Sequence, residues 1–281
     1  MEKVSVIMPC YNDGMYIEEA IASVKAQTYP NIELIVIDDG STDEQTIRVL
    51  KNLEKDIICL KTNHLRPAGA RNYGIQHATG KYIMPVDSDD IIDRKYIEKA
   101  VNIIESDKTI GAVYCEANLF GEKKGRWDLP KYSFDKMLLD NIVFVTALFY
   151  REDWVKVGGY STTMDAGMED YDFWLSILEL GKEIYQIPEV LFHYRIKKNS
   201  RTTKFQSNVI QIQEIYRKIY DNHINFYSKY QSEYAKILRD ALIEQVALRT
   251  KYEDYFSRIQ DIYRIPVIGK IIKRLLLGEG T

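Results

Sequence analysis

The first hundred residues alternate apolar runs of strand length with segments of helical period, and no other feature restricts the fold as strongly. "KVSVIMPC" reads as a buried strand. After the Asn12-Asp13-Gly14 turn, Ile17, Ala20, Ile21 and Val24 recur on one helical face. "IELIVID" is a second strand and runs into "DDGSTD", where Ser41 and Glu44 have capping-box spacing for a helix through Leu50. "IICL" is a third strand. Pro67 suits the first turn of the next helix and Gly80 suits its end. "KYIMPV" is a fourth, followed by a helix with Ile97, Ala100, Val101 and Ile104 on one face, and then by "GAVYC". This alternation predicts an α/β domain with a mostly parallel sheet and helices on both faces. In such sheets ligands bind beyond the carboxyl ends of the strands. Asp38-Asp39 and the cluster Asp87, Asp89 and Asp90 both fall at such ends, so they should share one rim.

Further along, residues 117–133 are polar with Gly and Pro and read as a loop, and "IVFVTALFY" returns to strand character. "DWVKVGGY" is a short helix stopped by Gly158-Gly159, and "MEDYDFWLSILELG" is a helix with an acidic first turn. "IYQIPEVLFHYRI" supplies one or two last short strands. From about Phe205 the pattern is helical and charged, so a boundary near 200 divides a domain of residues 1–200 from a helical region of 201–281.

Composition narrows the function. A net charge of −3 gives no reason to expect nucleic acid as a partner. No apolar run approaches the ~18 residues that span a bilayer, and the N-terminus enters a strand without signal-peptide order, which predicts a cytoplasmic protein. Cys10, Cys59 and Cys115 are odd in number, lack metal-ligand spacing and read as reduced core thiols. Twenty-one Tyr against nine Phe suit sugar-binding or interfacial surfaces, though Tyr also serves in cores. The chain has no P-loop, GxGxxG or GxSxG elbow.

Three aspartates within four positions repel one another unless water or a cation intervenes. A hard divalent ion accepts one or two carboxylates and completes its shell with water and phosphate oxygens. The alternative is that Asp90 or Asp93 caps the following helix. "PCYND", "VIDDGSTD", "GARNYGIQHATGKYI" with "VDSDD", and "GMEDYDFW" occur in one order that resembles the family 2 glycosyltransferases, over roughly residues 3 to 200. The resemblance implies the GT-A nucleotide-sugar-binding fold with a C-terminal helical extension, and inverting transfer assisted by Mn²⁺ or Mg²⁺. It makes Asp87-Ser88-Asp89 the DXD motif, with Asp89 on the metal and Asp87 reaching sugar or ribose. Asp39 resembles the base-contacting aspartate, Pro9 and Tyr11 would line the base pocket, and Arg71 would lie near the nucleotide. Asp170, in the Glu169-Asp170 pair, matches the general base. His193 is a candidate additional metal ligand, and Arg195 a candidate for the diphosphate. Trp174 is either core or sugar platform. UDP is the expected nucleotide, with dTDP and GDP as alternatives, and the acceptor a surface glycan or lipid-linked oligosaccharide.

Basic residues Arg264, Lys270, Lys273 and Arg274 complement an apolar face of Ile268, Ile271, Ile272, Leu275 and Leu276, so residues 264–278 could lie on an anionic membrane surface or dock on protein, a second subunit included. Rival functions are a non-catalytic nucleotide-sugar or glycan-binding protein, a sugar nucleotidyltransferase, and a membrane-associated scaffold.

Overall fold

A computed structural model describes residues 1–53, 57–198 and 208–263 of the chain. The structure divides into two units, Met1–Lys229 and Tyr230–Thr281.

In the first unit, β1 (Val4–Cys10) is flanked in parallel by β2 (Ile32–Asp38) and β4 (Tyr82–Pro85), and β2 pairs in parallel with β3 (Ile58–Lys61). Val4, Val6, Ile7 and Met8 are fully buried, as expected for a strand covered on both faces. The intervening helices are α1 (Ile17–Lys25), α2 (Glu44–Lys51) and α3 (Arg66–His77). Next come β5 (Ile91–Ile92), α4 (Tyr96–Ser106), β6 (Ile110–Gly121), β7 (Gly125–Arg126), α5 (Phe134–Leu139), β8 (Leu148–Tyr150) and α6 (Arg151–Val157). Then follow α7 (Glu169–Glu179), β9 (Glu183–Ile196), α8 (Val209–Asn222) and α9 (Ile224–Lys229). Among the described residues the sheet has nine strands, in the order β3-β2-β1-β4-β8-β6-β9-β5, with β7 on β6. Its first half is parallel, as the alternation predicts. The second half is mixed, because β8 enters antiparallel between β4 and β6 and β5 pairs antiparallel with β9.

Several local readings change. β6 continues to Gly121, into the predicted 117–133 loop, because residues 117–121 pair with Phe192–Ile196 of β9. β9 is one strand of 14 residues. In "IVFVTALFY" only Leu148–Tyr150 is strand. Ile142, Val143 and Phe144 are apolar because they are buried, not because they pair. The cap of α2 is Asp43, whose carboxylate accepts from Thr46 N at 2.8 Å, while the Ser41 hydroxyl accepts from Asn12 N. Cys10 and Cys115 are buried thiols, but Cys59 is exposed on β3, at the end of the sheet. The first unit runs to Lys229, past the boundary expected near 200. α8 and α9 pack onto α7 through Asn222–Asp172 and Tyr227–Tyr171 contacts.

The described part of the second unit is α10 (Gln231–Tyr263), along which Leu238, Leu242, Ile243 and Val246 are exposed. The basic amphipathic stretch 264–278 lies outside the described residues. No described helix is long and apolar enough to cross a membrane.

The β1–α1 turn is held by one close approach. Gly14 N donates to Thr46 Oγ1 at 2.6 Å, and a Cβ on Gly14 would stand 2.5 Å from Thr46 Cα and N. Backbone cannot move aside as a side-chain tip can. Gly14→Ala is therefore expected to cost about 1–3 kcal/mol in urea unfolding, and a loss under about 0.5 kcal/mol would show that the turn relaxes freely.

Candidate active site

The rim formed by the carboxyl ends of β1, β2 and β4 carries two cavities of about 450 Å³ each. The first is lined by Pro9, Tyr11, Asp13, Asp39, His64, Arg66, Ser88, Asp89 and Lys197, among others. The second is lined by Trp127, Asp140, Asn141, Phe144, Glu169, Asp170, Phe192 and Tyr216, among others. Arg71, Asp87 and Tyr194 belong to both, so the cavities meet there.

Backbone strain marks the same rim. The non-glycine residues with positive φ among those described are Asn12, His64, Arg66 and Met168, at 58° to 64°. All four line or adjoin the two cavities, and such conformations persist only where surrounding structure enforces them. Met168 immediately precedes α7, which starts with Glu169 and Asp170.

Arg71 joins the parts. Its buried guanidinium donates to Asp87 Oδ1 at 2.7 Å and to Glu169 Oε1 at 2.8 Å, linking α3 to the β4 end and to α7. Burial by itself would loosen its proton, but the two carboxylates outweigh that and keep it charged. The face of Tyr160 lies 5.9 Å from its Cζ.

Asp170 faces the second cavity at the start of α7, where its Oδ1 accepts from Tyr171 N at 2.9 Å. Its carboxyl is pushed up to about 6, first by burial and then by neighbouring Glu169, against the lowering influence of Arg71, Tyr171 N and Asn141. Burial and the like charge therefore prevail over the α7 dipole, leaving a carboxyl that titrates near neutrality.

The Asp87–Asp90 segment is not a helix cap. Asp90 is buried and accepts from the backbone N of Arg195 at 2.8 Å, while Asp93 takes Lys95 N, ahead of α4. Burial raises the Asp90 carboxyl well above its ordinary range, and Asp89 and Asp87 add to the effect. Asp89 is raised as well, by burial, against an opposing pull from Lys197. Lys197 answers part of the repulsion: its ammonium is 2.6 Å from Asp89 Oδ2 and 2.9 Å from Asp13 Oδ1. The Ser88 hydroxyl donates to the other oxygen of Asp13 at 3.0 Å.

Nine carboxyl groups line the two cavities, those of Asp13, Asp39, Asp87, Asp89, Asp90, Asp140, Asp165, Glu169 and Asp170, against three cations, Arg66, Arg71 and Lys197. No group of three or more His, Cys, Asp or Glu among the described residues is gathered to hold a metal alone. A hard ion that takes one or two carboxylates and otherwise water and phosphate oxygens fits this surplus of oxygen donors.

Other sequence expectations fare differently. Pro9, Tyr11, Asp39, Arg71, Asp87, Ser88 and Asp89 all line the first cavity, and Tyr11 packs against His64 with ring centroids 4.3 Å apart. Asp39 is largely engaged already: it accepts from Thr62 Oγ1, Leu65 N and Arg66 N at 2.6, 2.6 and 2.8 Å, fixing the turn before α3. His193 lines neither cavity, because strand alternation turns it away from the face of Phe192 and Tyr194, and it pairs with Ile91. Arg195 also misses the cavities. Its guanidinium sits 4.6 and 4.2 Å from the Tyr16 and Phe120 rings, reaches Glu19, and donates from Nε to Asp89 O at 2.7 Å. Trp174 is core, with its indole N donating to Val143 O. Sequence reasoning missed Asp13, Trp127, Tyr194, Lys197 and Tyr216. Of these only Asp13, beside the first strand end, carried a local signal.

The sequence pattern described as "Glycosyl transferase family 2" matches residues 5–155. The chain belongs to this family. It is a glycosyltransferase. A relative from Escherichia coli, UDP-Glc:alpha-D-GlcNAc-diphosphoundecaprenol beta-1,3-glucosyltransferase WfaP, is 33% identical over 224 residues, covering 75% of this chain and 86% of the relative. Staphylococcus aureus TarS 1–349 in complex with UDP superposes with a TM-score of 0.65 at 20% identity, over 84% of this chain and 70% of TarS 1–349. The mannosyltransferase PcManGT from Pyrobaculum calidifontis, in complex with GDP-Man and Mn²⁺, gives 0.58 at 21% identity over 99% of this chain and 88% of its own. The fold shared with these structures is the GT-A type.

Two outcomes are expected. A carboxyl raised in the folded state contributes stability below its unfolded value, and loses it as pH rises through about 6. Asp170→Asn should accordingly gain about 1–2 kcal/mol over wild type at pH 8 and nothing at pH 4, read by urea unfolding. Arg71→Met strands Glu169 and Asp87 without their cation and should lose about 3–5 kcal/mol at pH 7. That loss should shrink at pH 4, where the carboxylates can protonate.

Proposed function

We propose that this glycosyltransferase moves a sugar from a nucleoside diphosphate donor, a UDP-sugar foremost, to a hydroxyl of a surface glycan or lipid-linked oligosaccharide, with inversion. The observation that carries the reading is the junction of two cavities at Arg71 and Asp87, with a base raised to about 6 on the second cavity's wall. The first cavity suits the donor. Pro9 and the Tyr11–His64 pair offer apolar and aromatic surface to a base, with Asp39 beside them. Asp87, Ser88, Asp89 and Lys197 stand toward Arg71, where a diphosphate would lie.

The second cavity suits the acceptor. Trp127, Phe144 and Tyr194 form a run of rings, with centroids 6.0 Å apart for Trp127–Phe144 and 4.8 Å for Trp127–Tyr194, against which a sugar face can pack. Asp170 takes the proton of the acceptor hydroxyl as its oxygen forms a bond to the anomeric carbon. The bond from that carbon to the diphosphate breaks, and its electron pair leaves with the nucleoside diphosphate. Proton removal and bond formation on one side and departure on the other require a single displacement, hence inversion. Asp89 and Asp87 would hold a divalent ion, Mn²⁺ or Mg²⁺, which when bound neutralises charge developing on the leaving diphosphate. The lysine and arginine already at the junction act on the same charge.

UDP is favoured over dTDP and GDP by the UDP-Glc donor in the name of the Escherichia coli relative and by the UDP complex of TarS. The GDP-Man complex of PcManGT keeps GDP in the comparison. A binding protein on the same fold would show nucleotide affinity without turnover.

Thermal stability with UDP, dTDP or GDP, each with and without Mn²⁺, tests the donor. At about 100 times Kd the matching nucleotide should stabilise wild type by about 2.7 kcal/mol, and Asp89→Ala should lose the Mn²⁺-dependent part. Asp170→Asn should bind that nucleotide normally yet lower kcat by about 10²–10⁴-fold, and wild-type kcat/KM should fall below pH 6 as the base protonates. Stabilisation by none of the nucleotides would overturn the donor assignment.

A further inference from the structure

Lys197 is delivered into the acidic cluster by a strand end fixed on two sides. Ile196, the last residue of β9, pairs with Gly121, and its carbonyl accepts from Glu122 N at 3.1 Å. A Cβ at Gly121 would stand 2.7 Å from that carbonyl, so the approach requires glycine. Arg195 pins the strand to the acids themselves, through its backbone N on Asp90 and its Nε on the carbonyl of Asp89. The ammonium of Lys197 therefore stands between Asp89 and Asp13 by construction, 2.6 and 2.9 Å away, with the Tyr16 ring centroid at 5.5 Å. Its side chain keeps 26% of its surface exposed and lines the first cavity. Arg71 is committed to Asp87 and Glu169, which leaves Lys197 as the cation serving Asp89.

We propose that Lys197 is a built-in cation of the donor site, which competes with a divalent ion for Asp89 before a donor arrives and turns to the diphosphate afterwards. The proposal rests on the reading of the first cavity as the donor site. Asp89 Oδ2 cannot contact the ammonium and a dication together without placing two positive centres a few ångströms apart. With the site otherwise empty, Lys197 holds Asp13 and Asp89 in place and weakens the hold on free metal. A diphosphate changes the balance, because its phosphoryl oxygens give the displaced ammonium a new anionic partner at the same cavity wall. The residue thus makes metal binding conditional on the nucleotide, and in a low-dielectric site such rearranged pairs are worth more than at a surface.

The test compares wild type with Lys197→Met, Lys197→Gln and Lys197→Arg, using Mn²⁺ alone, UDP alone, and UDP with Mn²⁺. Binding is read by titration calorimetry and by the paramagnetic signal of free Mn²⁺. Lys197→Met should bind Mn²⁺ about tenfold tighter than wild type in the absence of nucleotide, yet bind UDP about tenfold more weakly, with UDP affinity more dependent on Mn²⁺. Lys197→Arg should keep the weak Mn²⁺ binding of wild type. Lys197→Gln, whose amide can still bridge Asp13 and Asp89, should follow Lys197→Met and covers the case in which the apolar variant does not fold. A merely structural lysine would weaken Mn²⁺ and UDP binding together. Unchanged or weaker Mn²⁺ binding in the neutral variants overturns the proposal while normal UDP binding by wild type leaves the donor site standing. Failure of wild type to bind UDP removes both.

Discussion

The buried guanidinium of Arg71 is the constraint on which the rest of the site depends. It is placed by α3, whose start is fixed by Asp39 accepting from Leu65 N and Arg66 N, and it reaches two carboxylates that lie far apart in sequence. Asp87 lies two residues beyond the Ile7–Pro85 pair that ends the β1–β4 register, and Glu169 opens α7. A charge this buried is stable only while both partners remain, so the walls of the two cavities are held in one geometry by the cost of separating them. Asp170 benefits directly. Burial and the like charge of its neighbour Glu169 raise it, while Arg71 limits the rise, which leaves the carboxyl near neutrality.

The acids of the rim are stabilised unequally, and that inequality divides their tasks. Asp90 is buried at the wall of the second cavity and accepts from the backbone N of Arg195, so it fixes β9 to the β4 end. Asp87 is committed to Arg71, and Asp89 to Lys197, each with its carboxylate on the cavity wall. One short acidic stretch therefore serves as anchor, junction and cation site, because each carboxylate has a different opposing charge. Asp13 extends the cluster from the β1 turn, where the Gly14–Thr46 approach sets its position.

Much of this was legible in the sequence where a local period or strand end carried it. β1, β2 and β4 read directly as apolar runs whose ends place Asp39, Asp87 and Asp89 on one rim, while Asp170 was singled out by the family resemblance. What failed depended on partners distant in the chain. Residues 117–121 run directly into the polar, glycine-bearing stretch from Glu122 to Arg126 and read as loop with it, yet β9 supplies their ladder. Ile142, Val143 and Phe144 are apolar enough to read as strand, yet they wall a cavity, and Val143 spends its carbonyl on Trp174. His193 and Arg195 looked like site residues by proximity in sequence. The pleat of β9 sends Tyr194 to the cavities instead, and Lys197 reaches them because the strand ends one residue earlier. The alternation of Phe192, Tyr194 and Ile196 with His193 and Arg195 carries the phase of the pleat, but which face meets the cavities is set by pairing with β5 and β6, distant in the chain.

The family match ends at residue 155, before Asp170, Tyr194, Lys197 and Tyr216. The segment within the match supplies the β1, β2 and β4 ends and hence most of the first cavity. The second cavity draws on α7, β9 and α8, including Ile212 and Tyr216, the latter bonded to Asp140. The second set is freer to vary than the first. The physical reason is that α8 is attached through side-chain contacts such as Asn222–Asp172 and His223 between Asp172 and Glu179, not through the sheet ladder. Side-chain contacts can be exchanged one at a time without disturbing strand register. The lining of the second cavity therefore has room to change in this fold while Arg71, Asp87 and Asp89 remain fixed by their ion pairs.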